Sequence, residues 1–221
     1  VTFARALDLR GASITTPLKV TLLPYMDEVD SLAQRVGAVN TLVVRDGRWI
    51  GANTDVAGFL APLKGRLALK GARATVLGAG GAARAVAVAL AEEGAKPTIS
   101  ARRPEQARTI ADLVGGSIGP FPPAAGSWDL LVNATSVGTG DGANPIEGAV
   151  LDGTLVYDLV YTPAATRLMA AARAAGCRAI GGMEMLVAQA ERQFELWTGQ
   201  RPPAGLFARV AEPQVARTAA L

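Results

Sequence analysis

Histidine is absent from all 221 residues, and that single absence removes several mechanisms together. No Ser-His-Asp triad, imidazole general base or histidine-ligated metal can be built from this chain. Chemistry must fall to Lys, Asp, Glu, Tyr or Ser. Cysteine is nearly absent as well. Cys177 stands alone, which excludes an intramolecular disulfide and fits a reducing, cytoplasmic compartment. Lysine is scarce: Lys19, Lys64, Lys70 and Lys96 are the four lysines among 22 basic residues, so each is more informative than usual. Aromatics make up 5% of the chain and the net charge is +3. Basic residues are not clustered with aromatics, which argues against a nucleic-acid partner. Long apolar runs are missing too. The longest, Val76 to Ala91, is interrupted by Gly78, Gly80, Gly81 and Arg84, so neither a signal peptide nor a membrane span is expected.

What is present suits a globular protein of one large or two small domains: 50% of residues are hydrophobic and 19% charged. Two regimes follow one another. Up to about Leu67 the elements are short and mixed: a strand at Ala12–Thr15, a helix over Leu18–Leu23 capped by Thr16 with Pro17 at its first position, and a helix at Asp30–Val36. Strands at Val39–Val44 and Arg48–Ala52 flank the turn signal Arg45-Asp46-Gly47, and a helix over Asp55–Lys64 follows the capping residues Asn53-Thr54. From Ala72 to about Gly181 strands and helices alternate, as in a parallel sheet covered by helices. Strands are expected at Ala74–Leu77, Pro97–Ala101, Leu130–Asn133, Thr154–Asp158 and Ala179–Ile180. Helices are expected at Gly80–Glu93, Pro104–Leu113, Pro163–Ala175, Met183–Thr198 and Pro203–Ala211.

The strongest local signal is Gly78-Ala79-Gly80-Gly81-Ala82-Ala83, a G-x-G-x-x-A turn between an expected strand and an expected helix. Gly78 permits the tight turn, Gly80 lets the backbone approach a pyrophosphate, and Ala83 lets the helix pack on the strand. The next strand ends in Ser100-Ala101-Arg102-Arg103, where an NAD site places an acid for the ribose hydroxyl. Two guanidinium groups suit a 2′-phosphate and favour NADP. Lys19 falls in the first turn of its expected helix, where the dipole disfavours a cation and would lower its pKa. A plain solvent-facing lysine explains it as well. Asp55 has the opposite placement and reads equally as a first-turn acid. Asn40, in an apolar strand, is either a structural hydrogen-bonder or a substrate contact.

In order, these segments resemble the shikimate dehydrogenase family. Gly11–Lys19 is similar to its G-x-(N/S)-V-T-x-P-x-K segment, Gly37–Thr41 to G-A-V-N-T, and Asn53–Phe59 to N-T-D-x-x-G-F. Gly78–Ala85, Asn133–Gly138, Asp158–Thr166 and Gly182–Gln189 complete the series. The resemblance implies an NADP-dependent oxidoreductase that interconverts shikimate and 3-dehydroshikimate. It implies Lys19 and Asp55 as the catalytic pair, and Thr15, Asn40 and Gln189 as substrate contacts. Cofactor contacts are implied at Gly78, Gly80, Gly81, Ala82, Arg102, Arg103 and Thr135, with Tyr161 and Gly182 near the nicotinamide. The implied fold is two α/β lobes. Residues 1–61 begin a substrate domain, 62–182 form a Rossmann-like NADP domain, and 183–221 return as helices to the first lobe.

Departures from the family pattern bear on these expectations. The chain begins at Val1 without the strand-helix-strand whose Ser-x-Ser pair binds the substrate carboxylate, so the substrate lobe is expected to be incomplete and this segment weakly active by itself. Ala101-Arg102-Arg103 replaces an Asn-Arg-Thr, Thr139 replaces a frequent methionine, and Leu18 is apolar where an aromatic or histidine is common. The other readings are a quinate/shikimate dehydrogenase using NAD, a non-catalytic effector-binding module of the same fold, and the C-terminal part of a multifunctional chain. A monomer or homodimer is expected.

Overall fold

Two sheets, one mixed and one wholly parallel, carry the chain in the computed structural model, which describes residues 1–7, 9–140 and 142–211. The first is built from short elements. Helix α1 (Thr2–Arg5) leads to strand β1 (Gly11–Ser13), single-turn helix α2 (Leu18–Thr21), a 3-10 turn at Leu23–Tyr25, and strand β2 (Glu28–Val29). Helix α3 (Ser31–Val36), the hairpin β3 (Thr41–Arg45) and β4 (Arg48–Ala52), and helix α4 (Asp55–Leu60) follow. The sheet order is β1-β3-β4-β2, with β2 parallel to β4 and the other pairs antiparallel.

Local chemistry explains most of these boundaries. Asp46 and Gly47 both have positive φ, 51° and 73°, which matches a two-residue hairpin loop to the twist of its strands. Asp30 caps α3 by accepting from Ala33 N at 2.6 Å, and Gly37 ends it in the left-handed conformation. Two expectations need correction. Thr16 does not cap α2; Pro17 holds the cap position with no side-chain bond, and Pro24 lies inside the 3-10 turn rather than beyond a longer helix. The helix expected over Asp55–Lys64 is α-helical to Leu60 and then 3-10 over Ala61–Leu63, because Pro62 lacks the N–H that another α-turn needs. Thr54 occupies the cap position without capping. Its hydroxyl accepts from Asn40 instead, and Asn53 Oδ1 takes the Asp55 N–H at 3.0 Å.

The second sheet alternates with helices: β5 (Arg73–Leu77), α5 (Gly81–Glu92), β6 (Lys96–Ser100), α6 (Pro104–Val114), β7 (Ser117–Ile118), β8 (Leu130–Asn133), β9 (Leu155–Asp158), α7 (Arg167–Ala174) and β10 (Arg178–Gly181). All pairings are parallel, in the order β10-β9-β8-β5-β6-β7. The order reverses between β5 and β8, so a ligand crevice opens at their carboxyl ends. Every residue of β8 and β9 is buried, as expected for strands covered on both faces. The short β7 was not anticipated. Helix α7 begins at Arg167 rather than Pro163, because the Thr166 hydroxyl accepts from Met169 N at 3.2 Å and fixes the start there.

Helix α8 (Gly182–Thr198) leaves the parallel sheet and returns to the mixed one. Gln193 Nε2 donates to Asn40 O at 3.0 Å and to Thr41 Oγ1 at 3.1 Å; one turn on, Trp197 Nε1 donates to Leu42 O at 2.8 Å. Four-residue spacing puts Gln189, Gln193 and Trp197 on one face against β3. Gly58 of α4 lets α8 come close, since a Cβ there would stand 2.8 Å from Gln189 Cβ. Residues 206–211 are helical, within the expected Pro203–Ala211, and the rest of the expected tail, 212–221, lies outside the described residues. Among the described residues no helix is long and apolar enough to cross a membrane.

Candidate active site

Asp55 opens α4 and is fully buried. Its two oxygens are divided between two donors. Lys19 Nζ lies 2.7 Å from Oδ2, and Asn40 Nδ2 lies 2.9 Å from Oδ1. The lysine side chain is 12% exposed and the carboxylate 1%, so the amine reaches its partner from the rim of the buried cluster. Helix α2 is one turn long and carries little macrodipole, so the helix dipole expected to act on Lys19 is nearly absent. What places the amine is the carboxylate opposite it.

Asn40, at the start of β3, answers the open question about its role by being held on both sides. Its Oδ1 accepts from Thr54 N at 2.7 Å and from the Thr41 hydroxyl at 2.8 Å. Its Nδ2 lies within 3.0 Å of Thr54 Oγ1, Asp55 Oδ1 and Gln189 Oε1, one acceptor more than the two hydrogens can serve. The structural role is therefore real, and the surplus acceptor leaves room for an incoming hydroxyl. A primary amine, a carboxylate and an oriented amide held together can exchange a proton with an alcohol and hold it in place.

Beside this cluster lies the glycine turn. Gly78 has φ +107°, a conformation that favours glycine. Gly80 precedes α5 with no side-chain cap, and a Cβ built on it would meet nothing within 4 Å. The first turn of the 12-residue helix α5 thus has no side chain on its N–H groups, as a phosphate site requires. Ala82 follows on the first turn of α5, and the fully buried Ala83 packs the helix onto the sheet. Strand β6 ends beside the turn, with Gly78 N donating to Ser100 O at 2.9 Å. Arg102 and Arg103 come next, both exposed and, among the described residues, without an acidic partner. These residues fit a dinucleotide carrying an extra phosphate on its ribose.

Comparison with known proteins gives this geometry a family. A profile for the shikimate dehydrogenase substrate binding domain matches residues 1–42, and one for the shikimate 5'-dehydrogenase C-terminal domain matches residues 182–212. A shikimate dehydrogenase (NADP(+)) of Moorella thermoacetica is 42% identical over 225 residues, covering 93% of this chain and 75% of that protein. The chain belongs to the shikimate dehydrogenase family. A shikimate 5-dehydrogenase of Thermus thermophilus, solved in complex with NADP(H) and shikimate, superposes with a TM-score of 0.85 at 41% identity, covering 98% of this chain and 81% of that one. A ligand-free 5-ketofructose reductase of a Gluconobacter strain is also similar, with a TM-score of 0.81 at 37% identity, covering 96% and 82%.

The other residues expected in a shikimate dehydrogenase site are placed unevenly. Gln189 joins the cluster through Asn40. Thr15 does not: it is exposed, its carbonyl accepts from Leu18 N at 2.8 Å, and among the described residues no side-chain hydrogen bond ties it to Lys19 or Asp55. Thr135 flanks the glycine turn, since a Cβ on Gly78 would lie 3.0 Å from its methyl group. Tyr161, 47% exposed, follows β9. Gly182 starts α8 in a gap that no Cβ could share, with Leu159 O 2.2 Å from where that atom would be.

Sequence reading missed the supports of this site. Thr41, Thr54 and Gln193 are buried and bonded to Asn40. On the parallel sheet, Asp158 Oδ1 accepts from Asn133 Nδ2 at 2.9 Å and Val160 N at 3.1 Å, and its Oδ2 from the Thr166 hydroxyl at 2.6 Å. Asn133 Oδ1 in turn accepts from the Thr135 hydroxyl at 2.7 Å. Burial pushes the Asp158 carboxyl above its ordinary range, against the pull of these donors. The available signal was a polar residue closing each of two apolar strands, Leu130–Asn133 and Leu155–Asp158, at the carboxyl edge where ligands bind. Tyr157, fully buried and stacked on Phe59 with ring centroids 5.2 Å apart, has its phenol pushed far up by burial and is removed as a proton donor.

Proposed function

We propose that this chain catalyses the reversible, NADP-dependent oxidation of shikimate to 3-dehydroshikimate, with Lys19 and Asp55 as its catalytic pair. The observation that carries the reading is the 2.7 Å contact between Lys19 Nζ and a buried Asp55 in a chain without histidine. Lys19 takes the hydroxyl proton during oxidation and returns it in the reverse direction. Asp55 holds the amine in place and accepts a hydrogen bond from the substrate. Thr15, Asn40 and Gln189 receive the substrate's hydroxyls, Gln189 giving up its hold on Asn40 to do so. The bound nicotinamide supplies hydride acceptance.

The supporting residues divide as the two sheets do. Residues 1–61 with 183–221 would form the substrate domain and 62–182 the nucleotide domain. Gly78, Gly80, Gly81 and Ala82 would hold the pyrophosphate, and Arg102 and Arg103 the 2′-phosphate. Thr135, Tyr161 and Gly182 would border the nicotinamide. Closure of the lobes would exclude water from the cleft.

The test is shikimate-dependent reduction of NADP by the full-length protein, with NAD, quinate and 5-ketofructose reduction as comparisons. Turnover with shikimate and NADP that is lost in Lys19→Ala is the expected result. A folded protein that turns over neither shikimate nor quinate with either cofactor would overturn the reading, and preference for 5-ketofructose would replace the substrate.

A further inference from the structure

Two adjacent glycines, Gly80 and Gly81, stand at the start of α5, and their surroundings differ. Gly81 is not among the residues with positive φ, so its backbone conformation would accept any side chain. Ala82, one residue later on the same helix, carries one. The space around Gly81 is what excludes it. A Cβ there would lie 2.9 Å from Lys19 Cβ, 3.3 Å from its Cδ and 3.6 Å from its Cγ, whereas the same atom on Gly80 would meet nothing within 4 Å. The stem of Lys19 therefore runs across the bare Cα of Gly81 on its way to Asp55.

We propose that Gly81 is a positioning residue for Lys19: its missing side chain is the wall along which the lysine stem is laid so that Nζ meets Asp55. The inference rests on the catalytic reading of Lys19 and adds a second duty to a position assigned above only to phosphate. The close approach is at Lys19 Cβ, which is fixed to the backbone of α2 and cannot swing aside as the end of the chain could. A methyl group on Gly81 must push the base of the lysine away, and the displacement is carried out to Nζ. Gly80, by contrast, leaves bare backbone toward the open side where a pyrophosphate would lie. Gly80 serves the cofactor alone; Gly81 serves the cofactor through its N–H and the amine through its missing side chain.

The experiment compares Gly80→Ala, Gly81→Ala, Lys19→Ala and the Lys19→Ala/Gly81→Ala double variant in the full-length protein. NADPH affinity is read by fluorescence titration, and kcat at saturating shikimate and NADP across pH. Gly81→Ala is expected to lower kcat by about 10- to 100-fold, the scale of an ångström-sized misplacement, and to displace the pH profile of kcat, while NADPH affinity, which draws on the Gly81 N–H that alanine keeps, falls less than in Gly80→Ala. Gly80→Ala should weaken NADPH binding instead. In the Lys19→Ala background the Gly81 substitution should add almost nothing, because both act through one amine. Equal loss with and without Lys19, or weakened NADPH binding with kcat intact at saturation, would overturn the proposal. Should Gly81→Ala not fold, Lys19→Gly/Gly81→Ala, which removes the clashing Cβ, should be as stable as Lys19→Gly alone; if it is less stable, the obstruction is not Lys19. Parental kcat in Lys19→Ala would overturn the catalytic reading itself, in a variant where Gly81 is untouched.

Discussion

The two halves of the site are prepared in opposite ways. On the mixed sheet the functional groups are already engaged: Asp55 holds Lys19 and Asn40, and Asn40 is held by Thr41, Thr54 and Gln189. At the end of the parallel sheet the site is made of omissions. Gly80 presents no side chain, α5 has no cap, and Arg102 and Arg103 have no acidic partner among the described residues. The difference follows from what each half must do. Proton transfer needs a few atoms held within tenths of an ångström, and a network of buried hydrogen bonds supplies that. A polyanion is bound by unpaired N–H groups and mobile cations, which must be free beforehand.

If that contrast is right, substitutions in the two halves should fail differently. The largest effect is expected from Lys19→Ala. It removes the proposed proton acceptor, for which general acid–base catalysis accounts for about 10²–10⁴-fold in rate. It also leaves a carboxylate that is 1% exposed without its cation, and an uncompensated buried charge costs about 3–5 kcal/mol. Both kcat and Tm should therefore fall. Asp55→Asn removes the charge but turns one of the two accepting oxygens into an NH2 that faces a donor, Lys19 Nζ or Asn40 Nδ2, so it should lower both kcat and Tm.

Arg102→Ala should strike the other half alone. The guanidinium is exposed and bridges nothing among the described residues, so Tm should be unchanged within error. Loss of a charge-assisted contact to a 2′-phosphate, about 1.5–3 kcal/mol, is a loss of roughly 10- to 100-fold in NADP affinity. NAD affinity should not move, because the missing contact is to a phosphate that NAD lacks. Equal weakening of both cofactors would place Arg102 away from the ribose.

Thr41→Val tests whether engagement on the mixed sheet matters. The hydroxyl donates to Asn40 Oδ1 at 2.8 Å and accepts from Gln193 at 3.1 Å inside the core. Removing it leaves buried polar partners unsatisfied, a cost of about 1–3 kcal/mol. Stability should fall by that amount and shikimate KM should rise, with NADP KM unchanged. Thr41→Ser keeps the hydroxyl and should restore KM. A parental KM in Thr41→Val would mean that Thr54 N alone orients the amide.

The same contrast explains what could be read from the sequence. Omissions are legible: Gly78-Ala79-Gly80 between strand and helix, or Arg102-Arg103 where an acid would stand, have meaning by residue type and spacing alone. Alternation of strands and helices gave the parallel sheet for the same reason, and Asp46-Gly47 gave the hairpin. Engagements are not legible, because they join residues far apart in the chain. Nothing near Gln193 says that its amide meets Asn40, and nothing near Gly81 says that Lys19 crosses it. Helix ends failed where a distant partner claimed the capping side chain, as with Thr54, or where a proline tightened the turn, as at Pro24 and Pro62. Thr15 shows the converse. Its motif is legible, yet no contact among the described residues brings it to the cluster.

The smallest effect is expected at a carboxylate that resembles Asp55 only in having a cation beside it. Asp129, at the other end of the parallel sheet, takes Arg73 NH2 at 2.6 Å and Arg73 N at 2.8 Å. Its side chain is 34% exposed and that of Arg73 51%, so solvent screens the pair and its worth should not exceed about 1 kcal/mol. The Arg73 guanidinium and backbone N–H hold the Asp129 carboxyl below its ordinary value. The sign follows: a folded pKa below the unfolded value, near 3.9, gives stability that is present above that pH and lost as pH falls through the lower folded value. Asp129→Asn should thus lower Tm at pH 7 by no more than about 4 °C, leave kcat and both KM values intact, and converge with the parent when unfolding is measured well below pH 3.9. A Tm gap that persisted in acid would assign the loss to the backbone N–H bond rather than to charge. The contrast with Asp55→Asn, where turnover should be lost as well as stability, then separates a carboxylate that serves the fold alone from one placed for the proposed reaction.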